Sequence, residues 1–237
     1  MIKISKHPDT DKNFSMAIVW INGGSDMDKN GKKGINQILC SLLTRGCEGF
    51  DNFEFSEHIH CHGAELNHEI YEDGILISLK SLNEYFNKLF PLINLIIDKP
   101  LLQENQFQFV KNTIKNVIKK EKENPFNIVY EKWRKIVYKE HPYAFNCSGY
   151  LEDISRINYE EILIEYSNFK KRDKFLITNN NQINIENSID NKNKLFSDEL
   201  NFYSLNLIKE YRFVSTHTKS NQIILMLGNQ TCSQFSD

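Results

Sequence analysis

The sequence has no Cys-x-x-Cys pair, and its five cysteines (Cys40, Cys47, Cys61, Cys147, Cys232) are odd in number and irregularly spaced. That pattern signals neither a disulfide framework nor a cysteine-type zinc site. The plain inference is a reducing interior compartment, so a cytoplasmic location is expected. Long apolar runs are missing too. The longest, Leu92 to Ile97, is interrupted by Asn94 and falls far short of the roughly 18–20 residues of a spanning helix. Met1 to Thr10 alternates lysine with isoleucine and lacks the apolar stretch of a signal peptide. Charge of one sign is not in excess: the formal net charge is −2, and the sequence pI is about 6.4. Neither a basic nucleic-acid surface nor an acidic tail follows from such a balance, so no nucleic-acid or membrane partner is expected.

Two common site motifs are absent as well. Gly23-Gly24 with Gly31 and Lys32-Lys33 fails the spacing of a phosphate loop. Ser25 follows glycines but is not flanked by them as a nucleophile elbow requires. Cys147, beside Ser148 and Gly149 with His141 upstream, reads as a surface loop, since no group that would orient a base is evident. Trp20 and Trp133 read as core residues and not as ligand platforms.

What is present is enough material for one good core, or one and a fraction: 237 residues, 40% hydrophobic and 25% charged. Phe14 to Asn22 predicts a buried strand, apolar on both faces apart from Ser15, ending at Gly23-Gly24-Ser25. Ile35, Ile38, Leu39, Leu42 and Leu43 form one face of a helix from about Gly34 to Arg45, stopped by Gly46. Asp51 with Glu54 makes a capping-box pattern for a shorter helix ending near Gly63. Ile75, Ile77 and Leu79 alternate as one face of a strand, and Ser81 with Glu84 reads as a second capping box. The helix it opens carries Leu82, Phe86, Leu89, Ile93 and Ile97 and closes at Pro100. A long helix with Phe107, Val110, Ile114, Val117 and Ile118 stops at Asn124-Pro125. Phe126 to Val137 marks another, Asn158 with Glu161 caps a later one, and Lys174 to Thr178 looks like a returning strand.

This order predicts an α+β fold: a mostly antiparallel sheet with helices packed on one face. Residues 1–178 would form that domain. Asn179 to Lys194 is rich in asparagine and reads as an interdomain linker. Residues 195–237 hold a short helical stretch, Asp198 to Glu210, and an apolar strand, Gln222 to Leu227. They are expected to be the incomplete start of a second domain.

Several landmarks in this order resemble the insulinase/pitrilysin family of metallopeptidases, which includes the mitochondrial processing peptidases. They are the apolar strand ending in Gly24-Ser25, the helix between Gly34 and Arg45-Gly46, and Gly63-Ala64 with Asn67 and Asp73. Pro100, Asn124-Pro125 and His141-Pro142-Tyr143 with Gly149 follow, and Asn221 to Gly228 is similar to the opening strand of the family's second domain. The match runs from about residue 14 to the end.

The family's chemistry rests on H-x-x-E-H, two zinc-binding histidines and a general-base glutamate on one helix, with a distal glutamate as third protein ligand. Aligning on Gly34 and Gly46 puts Gln37 and Ser41 at the histidine positions and Cys40 at the position of the base. The distal glutamate falls close to Val117, on its helix's apolar stripe, and Glu121 lies one turn further on. The resemblance therefore implies a homologue without its catalytic residues, without metal ligands and without a cofactor. Gly63, Ala64 and Asn67 resemble the strand that pairs with substrate backbone in active members, so binding of extended peptide is expected to survive. A catalytic member of the same family is the expected partner, in a heterodimer. Two other readings are a truncated gene product with no retained activity and an active zinc peptidase with unconventional ligands.

A different metal site could be sought at His58, His60 and His62, with His68 nearby. Glu57 and Glu65 are the only obvious acidic companions. A solvated polar face is the simpler account, because a metal site also needs an aligned third ligand and groups that orient it.

Overall fold

The computed structural model describes residues 2–6, 13–179, 210–217 and 223–229. Five strands make one sheet in the order β1-β5-β2-β4-β3. They are β1 (Ile2–Lys6), β2 (Phe14–Asn22), β3 (Glu65–Ile70), β4 (Gly74–Leu82) and β5 (Lys174–Thr178). The β2–β4, β2–β5 and β3–β4 pairs are antiparallel, and only β1 runs parallel to its neighbour, β5. Seven α-helices lie among the described residues: α1 (Ile35–Leu43), α2 (Asn52–His60), α3 (Asn83–Asp98), α4 (Glu104–Glu121), α5 (Pro125–Tyr138), α6 (Leu151–Arg156) and α7 (Tyr159–Phe169). The fold is α+β, as the order of patterns predicts.

The alternation within each strand decides where the core sits. Ala17, Val19 and Ile21 of β2, Ile75, Ile77 and Leu79 of β4 and Leu176 of β5 are buried at 2% exposure or less. Phe86, Leu89 and Ile93 of α3 and Ile38, Leu39 and Leu42 of α1 belong to the same cluster. The expectation that β2 is buried on both faces needs correcting. Phe14 and Met16 are each 37% exposed, and Ile18 and Trp20 are only half-buried. Helices cover one face of the sheet, so the side chains on the other face of β2 keep contact with water.

Two of the three capping boxes form: Asp51 with Glu54 opens α2, and Asn158 with Glu161 opens α7. The third does not. β4 continues through Ser81 to Leu82, and the Ser81 hydroxyl donates to the Leu82 carbonyl, leaving α3 without a side-chain cap. Strand pairing to Phe14 and Ser15 of β2 holds the residues that would have had to turn into the helix.

β1, β3 and α6 are the strands and α-helices that no pattern marked, β3 being expected only from the family resemblance at Gly63, Ala64 and Asn67. The Asn-rich linker lies almost wholly outside the described residues, as does the helix expected from Asp198 to Glu210. The strand expected from Gln222 to Leu227 is not formed among the described residues: 223–229 carry no strand pairing, and Ile223, Leu225 and Leu227 are 99%, 72% and 83% exposed. A strand exists only with a partner, and none of the described strands is paired to it.

Candidate functional site: a polar cavity between helix α1, the sheet edge and helix α4

Helix α1 is anchored from its first turn. The Asp28 carboxylate accepts the Gly34 N–H at 2.6 Å, the Asn36 N–H at 3.3 Å and the Asn36 side-chain amide at 2.7 Å. Lys33 donates to the Asp28 carbonyl at 2.6 Å. Burial pushes the Asp28 carboxyl up to about 6 against the pull of these donors. Arg172, paired with Glu165, donates to Asn36 Oδ1 at 2.9 Å and to the Gly23 carbonyl at 2.7 Å. It thereby ties the strand end, the helix start and α7 together.

Gly34 has φ +96°, a backbone that favours glycine. A Cβ there would also lie 2.5 Å from the Ile154 side chain and 2.8 Å from the Ser148 carbonyl. Gly149, in turn, would drive a Cβ to 2.2 Å from the Lys33 carbonyl. The two glycines let the loop after Pro142 close against the start of α1. That contact brings Ser148 to the site.

Gln37, Ser41, Thr44 and Arg45 of and just after α1 face His68 of β3 and Val110, Thr113, Ile114 and Val117 of α4 across a cavity of about 280 Å³, with Ser148 at its wall. The polar groups on α1 are tied to one another. Ser41 Oγ donates to the Gln37 carbonyl at 2.9 Å, and Thr44 Oγ1 to the Ser41 carbonyl at 3.2 Å. His68 approaches both hydroxyls, with Nε2 3.3 Å from Ser41 Oγ and Nδ1 3.4 Å from Thr44 Oγ1. Burial, and next the Arg45 charge, hold its pKa below the ordinary histidine value. The Ser41–His68 pair is not an activated nucleophile of the triad type, because the serine proton is donated to the helix backbone and no carboxylate orients the imidazole.

The residues at the ligand positions, Gln37, Ser41 and Val117, thus line one cavity. Val117 is 46% exposed and looks into it, which corrects its placing on the apolar stripe; Ile118, its neighbour, is the buried residue. Cys40 is fully buried in the core, and desolvation pushes its thiol up to about 12. Glu121 lines a separate, smaller cavity with Arg134 and Tyr150. Gly63 and Ala64 form the turn before β3, Ala64 is buried, and Asn67 is exposed opposite Ser78 of β4.

The histidine cluster does not assemble. His62 Nδ1 donates to the His58 carbonyl at 2.8 Å, and its Nε2 accepts from Lys88 at 3.0 Å, so both ring nitrogens are engaged. His60 is exposed, and His68 points away to Ser41. Among the described residues no group of three or more His, Cys, Asp or Glu could hold a metal ion. Cys147 accepts the Ser25 hydroxyl at 3.2 Å, and burial pushes its thiol up to about 11, far from the thiolate a nucleophile needs. Trp20 is half-buried and contacts Tyr71. Trp133 is half-buried in an aromatic row with Phe126 and Tyr130.

Thr44, Arg45, Thr113, Ser148 and the placing of His68 went unmarked in the sequence. Two signals were available. Arg45 repeats the i, i+4 spacing of Gln37 and Ser41, which shares one helix face. His68 sits between Leu66 and Ile70 in an alternation whose buried side faces the helices.

The helix that bears the site lies beside the edge of a largely antiparallel sheet, in a domain of the α+β class. A sequence profile of the Insulinase (Peptidase family M16) family matches residues 4–148, and the chain belongs to that family. It is 21% identical over 207 residues to an uncharacterized zinc protease of Rickettsia bellii, covering 85% of this chain and 50% of that protein. The structure of a protease from Helicobacter pylori superposes with a TM-score of 0.70 at 18% identity, over 76% of this chain and 45% of that one. An inactive domain of a family M16 peptidase from Pseudomonas fluorescens superposes with a TM-score of 0.61 at 21% identity, over 73% and 43%. The chain spans about half the length of the relatives it matches.

Zinc, the metal this family implies, does not fit the residues at the ligand positions, and His68 is a single good zinc donor with no second or third beside it among the described residues. The Gln37 amide and Ser41 hydroxyl are neutral oxygen and nitrogen groups, Val117 offers no donor, and Cys40 faces the core as a thiol.

Proposed function

We propose that this chain is a non-catalytic member of the insulinase family that binds extended peptide and pairs with a catalytic member of the same family. The observation that carries the reading is the contrast between two parts of one site. The residues at the ligand positions themselves, Gln37, Ser41 and Val117, bind zinc poorly, while β3 ends the sheet with its outer edge unpaired among the described residues. Strand addition needs only that open edge and the backbone groups on it, so it does not depend on metal. An inactive domain among the structural neighbours fits a subunit that works beside another.

The test is peptide binding read by hydrogen exchange. Titration with extended peptides is expected to slow amide exchange in β3, and a family member with an intact H-x-x-E-H motif is expected to co-purify with the chain. A protein that binds no extended peptide and captures no such partner would refute the proposal. One equivalent of zinc by elemental analysis, removed together with a peptidase activity, would refute the non-catalytic part.

A further inference from the structure

We infer that the cavity standing where the metal site would be takes an acidic side chain of the docked peptide, with Arg45 as its counter-charge; this rests on the peptide-binding reading above. Arg45 is half-buried and belongs to none of the five ion pairs among the described residues. Its guanidinium lies over the Phe109 ring, 4.9 Å from the centroid, which holds it in place without cancelling its charge. No carboxylate lines the cavity: Gln37, Ser41, Thr44, Thr113 and Ser148 are neutral hydrogen-bonding groups. Glu48, three residues beyond Arg45, pairs with Lys99, and Glu69, beside His68, points to the other face of β3, where the Tyr71 hydroxyl binds it. A chain of net charge −2 therefore carries a local positive cavity, and its apolar wall of Val110, Ile114 and Val117 strengthens the field by excluding water.

The topology connects this cavity to a peptide on the sheet edge. Side chains of a strand alternate between its faces, and a strand added beyond β3 would continue that alternation. Every second side chain of the peptide would point to the helix-covered side, the side to which His68 points. Three carbonyls of α1 on this side are already occupied. The Gln37 and Ser41 carbonyls accept side-chain hydroxyls, and the Leu42 carbonyl accepts the Thr44 and Arg45 N–H groups. The Ser41, Thr44 and Thr113 hydroxyl protons already go to helix carbonyls, so an incoming carboxylate meets the Arg45 cation and the remaining amide proton of Gln37. An ion pair made in such a half-enclosed setting discriminates charge more than it adds bulk affinity.

The experiment uses two fluorescent peptide libraries, randomised over non-acidic residues and identical except for a central Glu or Gln, with binding to the full chain read by anisotropy. The Glu library is expected to bind about tenfold more tightly. Arg45→Gln is expected to erase that preference, bringing the affinities of the two libraries together. Thr113→Glu, at an exposed position of the cavity wall, should neutralise Arg45 from within and erase it too, which keeps the test alive if Arg45→Gln fails to fold. Equal binding of the two libraries, or a preference that survives both substitutions, would overturn the inference and leave peptide binding standing. Absence of binding by either library would remove the peptide-binding reading itself, and this inference with it. Full competition by N-acetylglutamate amide alone would assign the cavity to a free carboxylate, and the claim for a peptide side chain would fall.

Discussion

Ser41 and Thr44 each have one hydroxyl proton, and both protons go to backbone carbonyls of α1. Toward His68 the two hydroxyls can therefore act only as acceptors, yet a neutral imidazole donates from a single ring nitrogen. The site would hydrogen-bond an imidazolium more fully, but burial and Arg45 oppose the second proton. The outcome has a sign. With its folded-state pKa held below the ordinary value near 6.5, His68 binds more protons unfolded than folded in that interval. Its stabilising contribution is complete above pH 6.5 and is lost as pH falls through the folded-state pKa. Asp28, raised to about 6 from 3.8, acts the other way, losing stability as pH rises between those values. The two are separated by difference: between pH 7.5 and pH 5 the wild type should lose more melting temperature than His68→Gln does. A His68 pKa at or above 6.5, followed by NMR, would contradict this. Little of it was legible in the sequence, because His68 looks like one more member of a histidine-rich stretch until strand pairing sends it the other way.

Among the elements, α1 is the one whose position the site depends on, and it was legible to within two residues at either end. Its apolar spacing, its opening glycine and its stop at Gly46 are all local signals. The failed cap at Ser81 shows the limit of such signals. Serine and glutamate three residues apart suit a helix start, but the pairing of Ser81 with Ser15 on β2 is a long-range fact that overrides them. Gly34→Ala tests how tightly α1 is held. A Cβ at φ +96° is strained whatever the space, and here it would also strike Ile154 and the Ser148 carbonyl. A loss of about 2–4 kcal/mol of unfolding free energy is expected. The measurement is denaturant unfolding at neutral pH. A loss below roughly 1 kcal/mol would mean that the loop and α1 separate easily.

At the scale of the whole molecule, the fold was largely legible because strands and amphipathic helices announce themselves by period, and their order leaves few layer arrangements. The candidate site was legible only in part. Gln37 and Ser41 lie on one helix, but their meeting with Val117, more than seventy residues later, depends on α1 packing against α4. That convergence can be tested by rebuilding what the chemistry lacks. In the triple variant Gln37→His, Ser41→His, Val117→Glu, two imidazoles and one carboxylate would share the existing cavity, which is the three-ligand set of a catalytic-type zinc site. The variant is expected to hold about one equivalent of zinc by elemental analysis. Saturating zinc at about one hundred times the dissociation constant should stabilise it by roughly 2.7 kcal/mol, seen as a higher melting temperature that the wild type does not show. It should still cleave no peptide, because Cys40 leaves the position of the base turned into the core. Cys40→Glu alone would not repair that cheaply, since a carboxylate at a fully buried position has to be desolvated first. If the triple variant folds and binds no zinc, then Gln37, Ser41 and Val117 share a cavity without sharing a focus, and this site is further from its relatives than the backbone suggests.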